Sequence, residues 1–277
     1  MLTEEEMVAA VKAAASLGVS KLRITGGEPL VKRNILSICE HVGKVEGIRE
    51  VCITTNGVLL PHLARPLREV GVHRVNISLD TLDSEKYFYI TRRDQFRSAL
   101  AGIYGALDAG FERVKINSVL IRGFNDDEIQ KLAELTLCSP VDVRFIELMP
   151  MNGGNELEER AMVANEVVLD RLPQLRKINE DGGVAQLYRL PGAKGNIGLI
   201  SPVSRQFCSQ CNRIRLTADG KIKPCLHSNA EYNIKGLKYE EVVVQFRNAI
   251  MGKPEGHGGL GVCCPSGAGR NMNEIGG

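Results

Sequence analysis

No run of apolar residues in this 277-residue chain is long enough to cross a bilayer as a helix. The opening Met1-Leu2-Thr3-Glu4-Glu5-Glu6 lacks the basic start and apolar stretch of a signal peptide. Neither sign of charge is in excess: 35 Lys and Arg against 33 Asp and Glu leave a formal net charge of +2. That balance gives no chain-wide argument for nucleic acid or a membrane as partner, so any anion site must come from local clustering. Internal repeats are lacking beyond a βα unit. Eight cysteines without a secretory leader point to a reducing compartment, the cytoplasm, where grouped thiols bind metal more often than they pair. The 43% hydrophobic and 25% charged fractions are those of an ordinary globular protein, and the length suits one large core plus a smaller satellite.

The first half alternates between helix and strand. Thr3 before Glu4, Glu5 and Glu6 reads as an N-cap with an acidic first turn, opening a helix that stops at Gly18. Strands are expected at 21–25, 50–54, 74–79, 113–120 and 142–147, with helices at 33–45, 60–70 and 95–109 and one capped from Asn125. Such alternation implies βαβ units and a parallel sheet or barrel. After Pro150 the character changes: 151–159 is loop-like, a helix falls near 165–171, and strands fall near 186–190 and 197–201. Gly192, Gly195 and Gly198 sit between those strands without the following helix that a phosphate loop needs. The tail from Gly252 is glycine-rich. We therefore expect two domains, 1–150 and 151–277.

Parallel strands covered by helices normally read as near-continuous apolar runs. Here one face of each strand is polar: Lys21, Arg23 and Thr25; Thr54 and Asn56; Asn76, Ser78 and Asp80; Arg113, Lys115 and Asn117. Polar side chains aimed into a β/α barrel need a solvated or ligand-filled cavity, because burying them unpaired is costly.

Cys208, Cys211 and Cys225 form a C-x2-C-x13-C pattern around a turn at Asp219-Gly220, with Arg213 and Arg215 alternating along a strand between them. Three thiolates leave one metal position free, and two adjacent cations suggest an anionic ligand. Two assignments stay open: an iron–sulfur cluster with one open iron, or zinc completed by His227. Cys39, Cys52 and Cys138 read as core packing, the vicinal pair Cys263-Cys264 as incidental and His257 as solvated. Gly26-Gly27-Glu28-Pro29 follows the first strand at the end where α/β barrels place their sites, and two glycines there let a ligand approach the backbone. Thr54-Thr55-Asn56-Gly57 alone reads as a turn.

Taken together, residues 22–31, 54–57, 75–80, 114–117, 144–147, 207–226 and 275–277 resemble the GTP 3′,8-cyclase (MoaA) family, radical S-adenosylmethionine enzymes of molybdenum-cofactor biosynthesis. The resemblance implies a (β/α)6 radical-SAM barrel of TIM type and a small C-terminal iron–sulfur domain. It implies a lyase in which a 5′-deoxyadenosyl radical takes a hydrogen from the GTP ribose, giving 3′,8-cyclo-7,8-dihydro-GTP. By position, Gly26, Gly27, Glu28, Ser78 and Met149 would bind S-adenosylmethionine. Lys21, Arg23, Thr54, Lys115, Arg144, Arg213 and Arg215 would bind GTP, with Arg213, Arg215, Gly276 and Gly277 at the reacting end. Cys208, Cys211 and Cys225 would hold an auxiliary [4Fe–4S] cluster. The resemblance also implies an electron donor such as flavodoxin, a downstream cyclic pyranopterin monophosphate synthase and a homodimer.

One departure is severe. The family's radical-initiating [4Fe–4S] cluster takes a C-x3-C-x2-C motif after the first barrel strand, and these eight cysteines contain no such spacing. The expectation is an incomplete barrel lacking that strand, with residues 21–25 as an open edge and no cleavage of S-adenosylmethionine by this chain. Two other classes stay open: a Cys3His zinc-stabilised nucleotide-binding module, and a radical peptide-modifying enzyme with an auxiliary cluster.

Overall fold

The computed structural model describes residues 1–151, 160–178, 183–257, 266, 268–270 and 272–275. Helix α1 (Glu4–Ser16) starts on a reciprocal cap: Thr3 Oγ1 accepts from the Glu6 amide at 3.2 Å, and Glu6 Oε2 accepts from the Thr3 amide at 2.8 Å. It ends before Gly18, whose φ of +92° suits glycine. There follow β1 (Lys21–Ile24), a 3₁₀ turn (Pro29–Val31), α2 (Ile35–Gly43), β2 (Glu50–Thr55), α3 (Leu60–Glu69) and β3 (Arg74–Ser78). Then come α4 (Ser84–Thr91), α5 (Phe96–Asp108), β4 (Val114–Leu120), α6 (Ile129–Cys138) and β5 (Val141–Glu147). The second half contributes α7 (Glu166–Arg171), β6 (Arg176–Ile178), β7 (Gln186–Arg189) and β8 (Ile197–Ile200). A 3₁₀ turn (Cys208–Gln210), β9 (Arg215–Leu216), β10 (Lys221–Lys223), β11 (Tyr232–Asn233), α8 (Tyr239–Met251) and α9 (Met272–Ile275) complete the order.

The strands form an eight-stranded sheet, β1-β2-β3-β4-β5-β8-β7-β6, and a small three-stranded sheet, β11-β10-β9. β1 to β5 run parallel, as the alternation predicts, and β8 extends them in parallel on β5. The sheet therefore runs across residue 150. β1 and β6 are its two edges, so among the described residues it is an open α/β sheet, not a closed barrel. Its helix-facing side buries Ile53, Val75, Ile77, Ile116, Val143 and Phe145, each at 0% exposure, against α2, α3, α5 and α6. At roughly 1.5–3 kcal/mol per buried side chain this layer dominates the stabilising terms.

A second apolar cluster joins the two ends of the order. Ala10, Ala13 and Ala14 of α1 pack against Val242, Phe246 and Ala249 of α8 and against Ile222 of β10. Three alanines on one helical face let the helices approach closely, and the Leu2 amide donates to the Ala218 carbonyl at 2.8 Å.

Several expectations are corrected. Asn125 does not cap α6, whose N-cap is Glu128. Its side chain instead accepts from the Ile121 amide and donates to the Asp80 and Val119 carbonyls, bracing two strand ends. Cys39 and Cys52 are core residues, but Cys138, in the last turn of α6, is exposed. Arg213 lies before β9, which begins only at Arg215. His257 is half-buried, its Nε2 3.0 Å from the Pro202 carbonyl. Cys263, Cys264, Gly276, Gly277 and the 152–159 loop lie outside the described residues.

Candidate functional site

Parallel pairing in register sets the polar residues of one sheet face in rows. Arg23 pairs across Cys52 to Arg74. Thr54, Asn76, Lys115 and Asp142 make a second row, and Ser78, Asn117, Arg144 and Gly198 a third. A side chain at Gly198 would bring its Cβ to 3.1 Å from Arg144 Cγ, so this glycine leaves the arginine room to lie across β8.

These rows are rich in cations and poor in anions. Lys115 is 6% exposed, and its Nζ stands 3.3 Å from Asp142. Burial, then the neighbouring Arg144, push its pKa down to about 8 against the pull of Asp142. Arg144 falls to about 10, first through burial and then through Arg23 and Arg74. Arg74 is tied to Glu50 at 2.8 Å, while Lys21 reaches the same carboxylate at 3.4 Å from an exposed position. The Nε of Arg74, the Nε of Arg144, Thr25 Oγ1, Asn76 Oδ1 and Asn117 Oδ1 are all buried without a hydrogen-bond partner among the described residues. Buried polar groups are ordinarily satisfied, so this concentration marks a face that takes a ligand. The two guanidinium Nε–H groups need acceptors and the two carboxamide oxygens need donors, so the ligand carries both, and the excess of positive charge favours an anion.

Loops at the C-terminal ends of the strands are pinned by carboxylates. Glu28 accepts from the Leu30 amide (3.0 Å), Thr55 Oγ1 (2.7 Å) and the Asn56 amide (2.7 Å). Glu128 holds Thr81 Oγ1 and the Leu82 amide, and Glu147 holds the Asn165, Val203 and Ser204 amides with Ser204 Oγ. Gly26 has a φ of +141°, and no atom lies within 4 Å of where a Cβ would stand on Gly26 or Gly27. With the exposed Ser78 at the end of β3 and the half-buried Met149 after β5, these glycines sit on one mouth of the sheet. The Thr54–Gly57 turn is packed as well as turned: a Cβ on Gly102 of α5 would meet the Gly57 carbonyl at 2.1 Å.

The cysteine segment meets the sheet through its arginines. Cys208 and Cys211 bracket a 3₁₀ turn closed by the Cys211 amide on the Cys208 carbonyl at 3.0 Å, and Cys225 follows β10. All three are half-buried free thiols. Arg215 is pushed down to about 10, first by burial and then by Arg213 and Arg23, while Cys225 and Cys211 oppose the shift. Arg23 of the edge strand thus faces the same space as Arg213 and Arg215. Arg215 Nη1 also donates to the Ile275 carbonyl at 3.4 Å, so the chain arrives at this arginine just before Gly276. His227 Nδ1 is engaged with Ser266 Oγ at 3.0 Å, and its ring meets His257 edge-on. Its pKa is pushed down to about 4, chiefly by burial.

Residues 1–136 match the radical SAM superfamily, and residues 141–258 match the family described as Molybdenum Cofactor Synthesis C. The GTP 3′,8-cyclase of Alkaliphilus oremlandii is 44% identical over 284 residues, covering 100% of this chain and 88% of that protein. The chain belongs to the GTP 3′,8-cyclase family. The enzyme of the same name from Peptoclostridium acidaminophilum is likewise 44% identical, over 93% of this chain and 81% of the relative. Among solved structures, Streptococcus suis SuiB bound to S-adenosylmethionine superposes with a TM-score of 0.62. That match has 17% identity and covers 84% of this chain and 56% of SuiB, which makes it a likeness of fold.

Family membership places the chain among radical SAM proteins of molybdenum-cofactor biosynthesis, with an iron–sulfur cluster and S-adenosylmethionine as the expected cofactors. Among the described residues no three His, Cys, Asp or Glu side chains stand close enough to hold a single metal ion. Ligands of one zinc lie within about 4.6 Å of each other, twice a Zn–S bond of roughly 2.3 Å. On a cubane each thiolate takes a different iron, so wider spacing fits. Ser266 engages Nδ1 of His227, as a zinc-bound histidine's other nitrogen is ordinarily engaged, so it is the ligand spacing that speaks against zinc. The donor set of half-buried thiols beside arginines fits a cluster. Cys39, Cys52 and Cys138, single residues on α2, β2 and α6, do not fit a second one.

Two members of this site escape sequence reasoning. Arg74 was readable only as the edge of a strand, although its i, i+2 spacing to Asn76 puts it on the polar face. Lys253 Nζ contacts the cysteine segment at three points, and no spacing in the sequence announces it.

Proposed function

We propose that this chain binds GTP across the polar sheet face for the GTP 3′,8-cyclase reaction. Arg23, Thr54, Lys115 and Arg144, with Lys21 at the rim, hold the anion from the sheet, and Arg213 and Arg215 hold it from the cysteine segment. Cys208, Cys211 and Cys225 carry the auxiliary [4Fe–4S] cluster, which supplies an open iron to the guanine when bound. Gly26, Gly27, Ser78 and Met149 form the S-adenosylmethionine mouth; the Glu28 carboxylate already accepts three hydrogen bonds, so its part is to shape the loop. Gly276 and Gly277, next in sequence after Ile275, serve the reacting end, and Arg215 holds the Ile275 carbonyl. The cytoplasmic setting, a homodimer, a flavodoxin-type donor and a pyranopterin synthase downstream belong to the same reading.

One observation carries it: buried guanidinium Nε and carboxamide Oδ1 atoms, in register along the strands, that meet no hydrogen-bond partner among the described residues, on a face with an excess of positive charge. A nucleoside triphosphate brings about four negative charges, each answered by charge-assisted hydrogen bonds. Because the eight cysteines offer no C-x3-C-x2-C set, these residues alone do not initiate the radical.

The test is Arg144→Gln. Its neighbours repel Arg144, so removing the charge relieves that repulsion while depriving the ligand of a donor. Titration calorimetry should give GTP binding weaker by about tenfold or more, since a charged hydrogen bond contributes roughly 1.5–3 kcal/mol, and the thermal midpoint should hold or rise. Unchanged GTP affinity, or no GTP binding by the wild-type chain, overturns the reading.

A further inference from the structure

Lys253 stands one residue past Gly252, the C-cap of α8. The end of that helix is firmly seated: α8 packs on α1, and a Cβ at Gly252 would lie 2.5 Å from the Tyr232 hydroxyl of β11. From there Nζ donates to the Arg213 carbonyl at 2.8 Å and the Pro224 carbonyl at 3.0 Å, and it reaches Cys211 Sγ at 3.6 Å. An ammonium has three N–H donors, and all three are used.

The choice of partners is informative. A lysine at a helix C-terminus ordinarily bonds the carbonyls of its own helix. Lys253 instead takes one carbonyl two residues after Cys211, another immediately before Cys225, and a cysteine sulfur. One cation therefore spans both limbs of the cysteine hairpin. It fixes the distance between the ligands on those limbs, and it directs an N–H at one of the sulfurs. Donors to a cluster's sulfurs draw electron density from the iron and set its potential, and such outer partners hold ligands in position.

We propose that Lys253 is the positioning residue of the auxiliary cluster, locking Cys211 and Cys225 in register and raising the reduction potential through its contact with Cys211 Sγ. This rests on the assignment of Cys208, Cys211 and Cys225 as cluster ligands. The experiment compares anaerobically reconstituted full-length wild type with Lys253→Met, Lys253→Arg and Lys238→Met, the last an exposed lysine at the other end of α8. Iron content and broad absorbance near 400 nm in the wild type test the underlying assignment; their absence removes it and this inference with it. Given a loaded wild type, Lys253→Met should lose iron to a ferrous chelator about tenfold faster, show a lower reduction potential and shift the resonance of the reduced cluster. Lys253→Arg should recover part of each change, and Lys238→Met should match the wild type. Equal chelation rate, potential and spectrum in Lys253→Met and wild type overturn the proposal. Should Lys253→Met fail to fold, Lys253→Arg decides: a guanidinium cannot reproduce all three contacts, so an unaltered potential overturns it equally.

Discussion

The parallel sheet and the cysteine segment solve the problem of placing cations in opposite ways. In the sheet, position is dictated by backbone: long strands in register put Arg74, Lys115 and Arg144 on one face, and apolar side chains on the other hold the strands rigid. In the cysteine segment the strands are only two or three residues long. There position comes from side chains: Lys253 across the hairpin limbs, and Arg270 bridging Asp219 and Glu231. A backbone-built site tolerates the loss of any one polar group. A site assembled by side chains depends on each.

Phe145→Ala should give the largest effect. Phe145 is fully buried on β5, and its truncation should cost about 3–5 kcal/mol. A denaturant midpoint measured by far-ultraviolet dichroism checks it. If the sheet melts while the signals of the cysteine segment persist, the two regions are independent units and the contrast becomes one between domains.

Glu147→Gln should come next and touches the seam between the regions. Its carboxylate accepts from the Asn165, Val203 and Ser204 amides, and the last two lead into the cysteine segment. A carboxamide turns one acceptor into a donor facing those amides, so a loss of about 2–3 kcal/mol is expected. Hydrogen exchange should rise at Val203 and Ser204 and not in β3 or β4. Uniform exchange throughout would mean that the carboxylate does not anchor the seam.

Asp80→Asn should be the smallest. The Asp80 carboxyl is turned inward after β3, and burial pushes its pKa up to about 6 against the Val119 amide. The native state then binds more protons than the unfolded chain between about pH 4 and pH 6, so this group's contribution falls as pH rises through that window and is flat above it. The substitution should remove that slope and raise stability at pH 7 by about 1–2 kcal/mol, discounted because the residue keeps some contact with water. An unaltered pH profile from chemical denaturation would show the carboxylate solvated in both states.

What could be read in advance follows from the same contrast. β1 to β5 were legible because β-branched residues recur between glycines and helical stretches, and the polar face because Asn76, Lys115 and Asn117 break an apolar run. The pairing of β8 with β5 was not, since Ile197–Ile200 looks like any short strand and its partner lies some fifty residues away. Helix α8 carried a signal in Glu240 and Glu241 ahead of Val242 and Phe246, and it was missed beside the glycine-rich tail. The bracing by Glu28, Glu147 and Asn125 left no trace, because its partners are main-chain amides and carbonyls that every sequence possesses. Asn125 was misread for the same reason: its local pattern is that of a cap. The cysteines and their arginines were visible by spacing, whereas Lys253 comes to them only through the packing of α8.

The alanine face of α1 has a consequence for how the molecule is made. This face of α1 finds its apolar partners Ile222, Val242, Phe246 and Ala249 more than two hundred residues later in the chain. Until they emerge, Ala10, Ala13 and Ala14 have only the neighbouring Leu17 and Val19 of this cluster beside them, and contacts so distant along the chain form late. Folding therefore includes a closing step in which two segments far apart in the chain meet, and a chain halted before α8 would leave that helix face without this cover for chaperones or proteases to find.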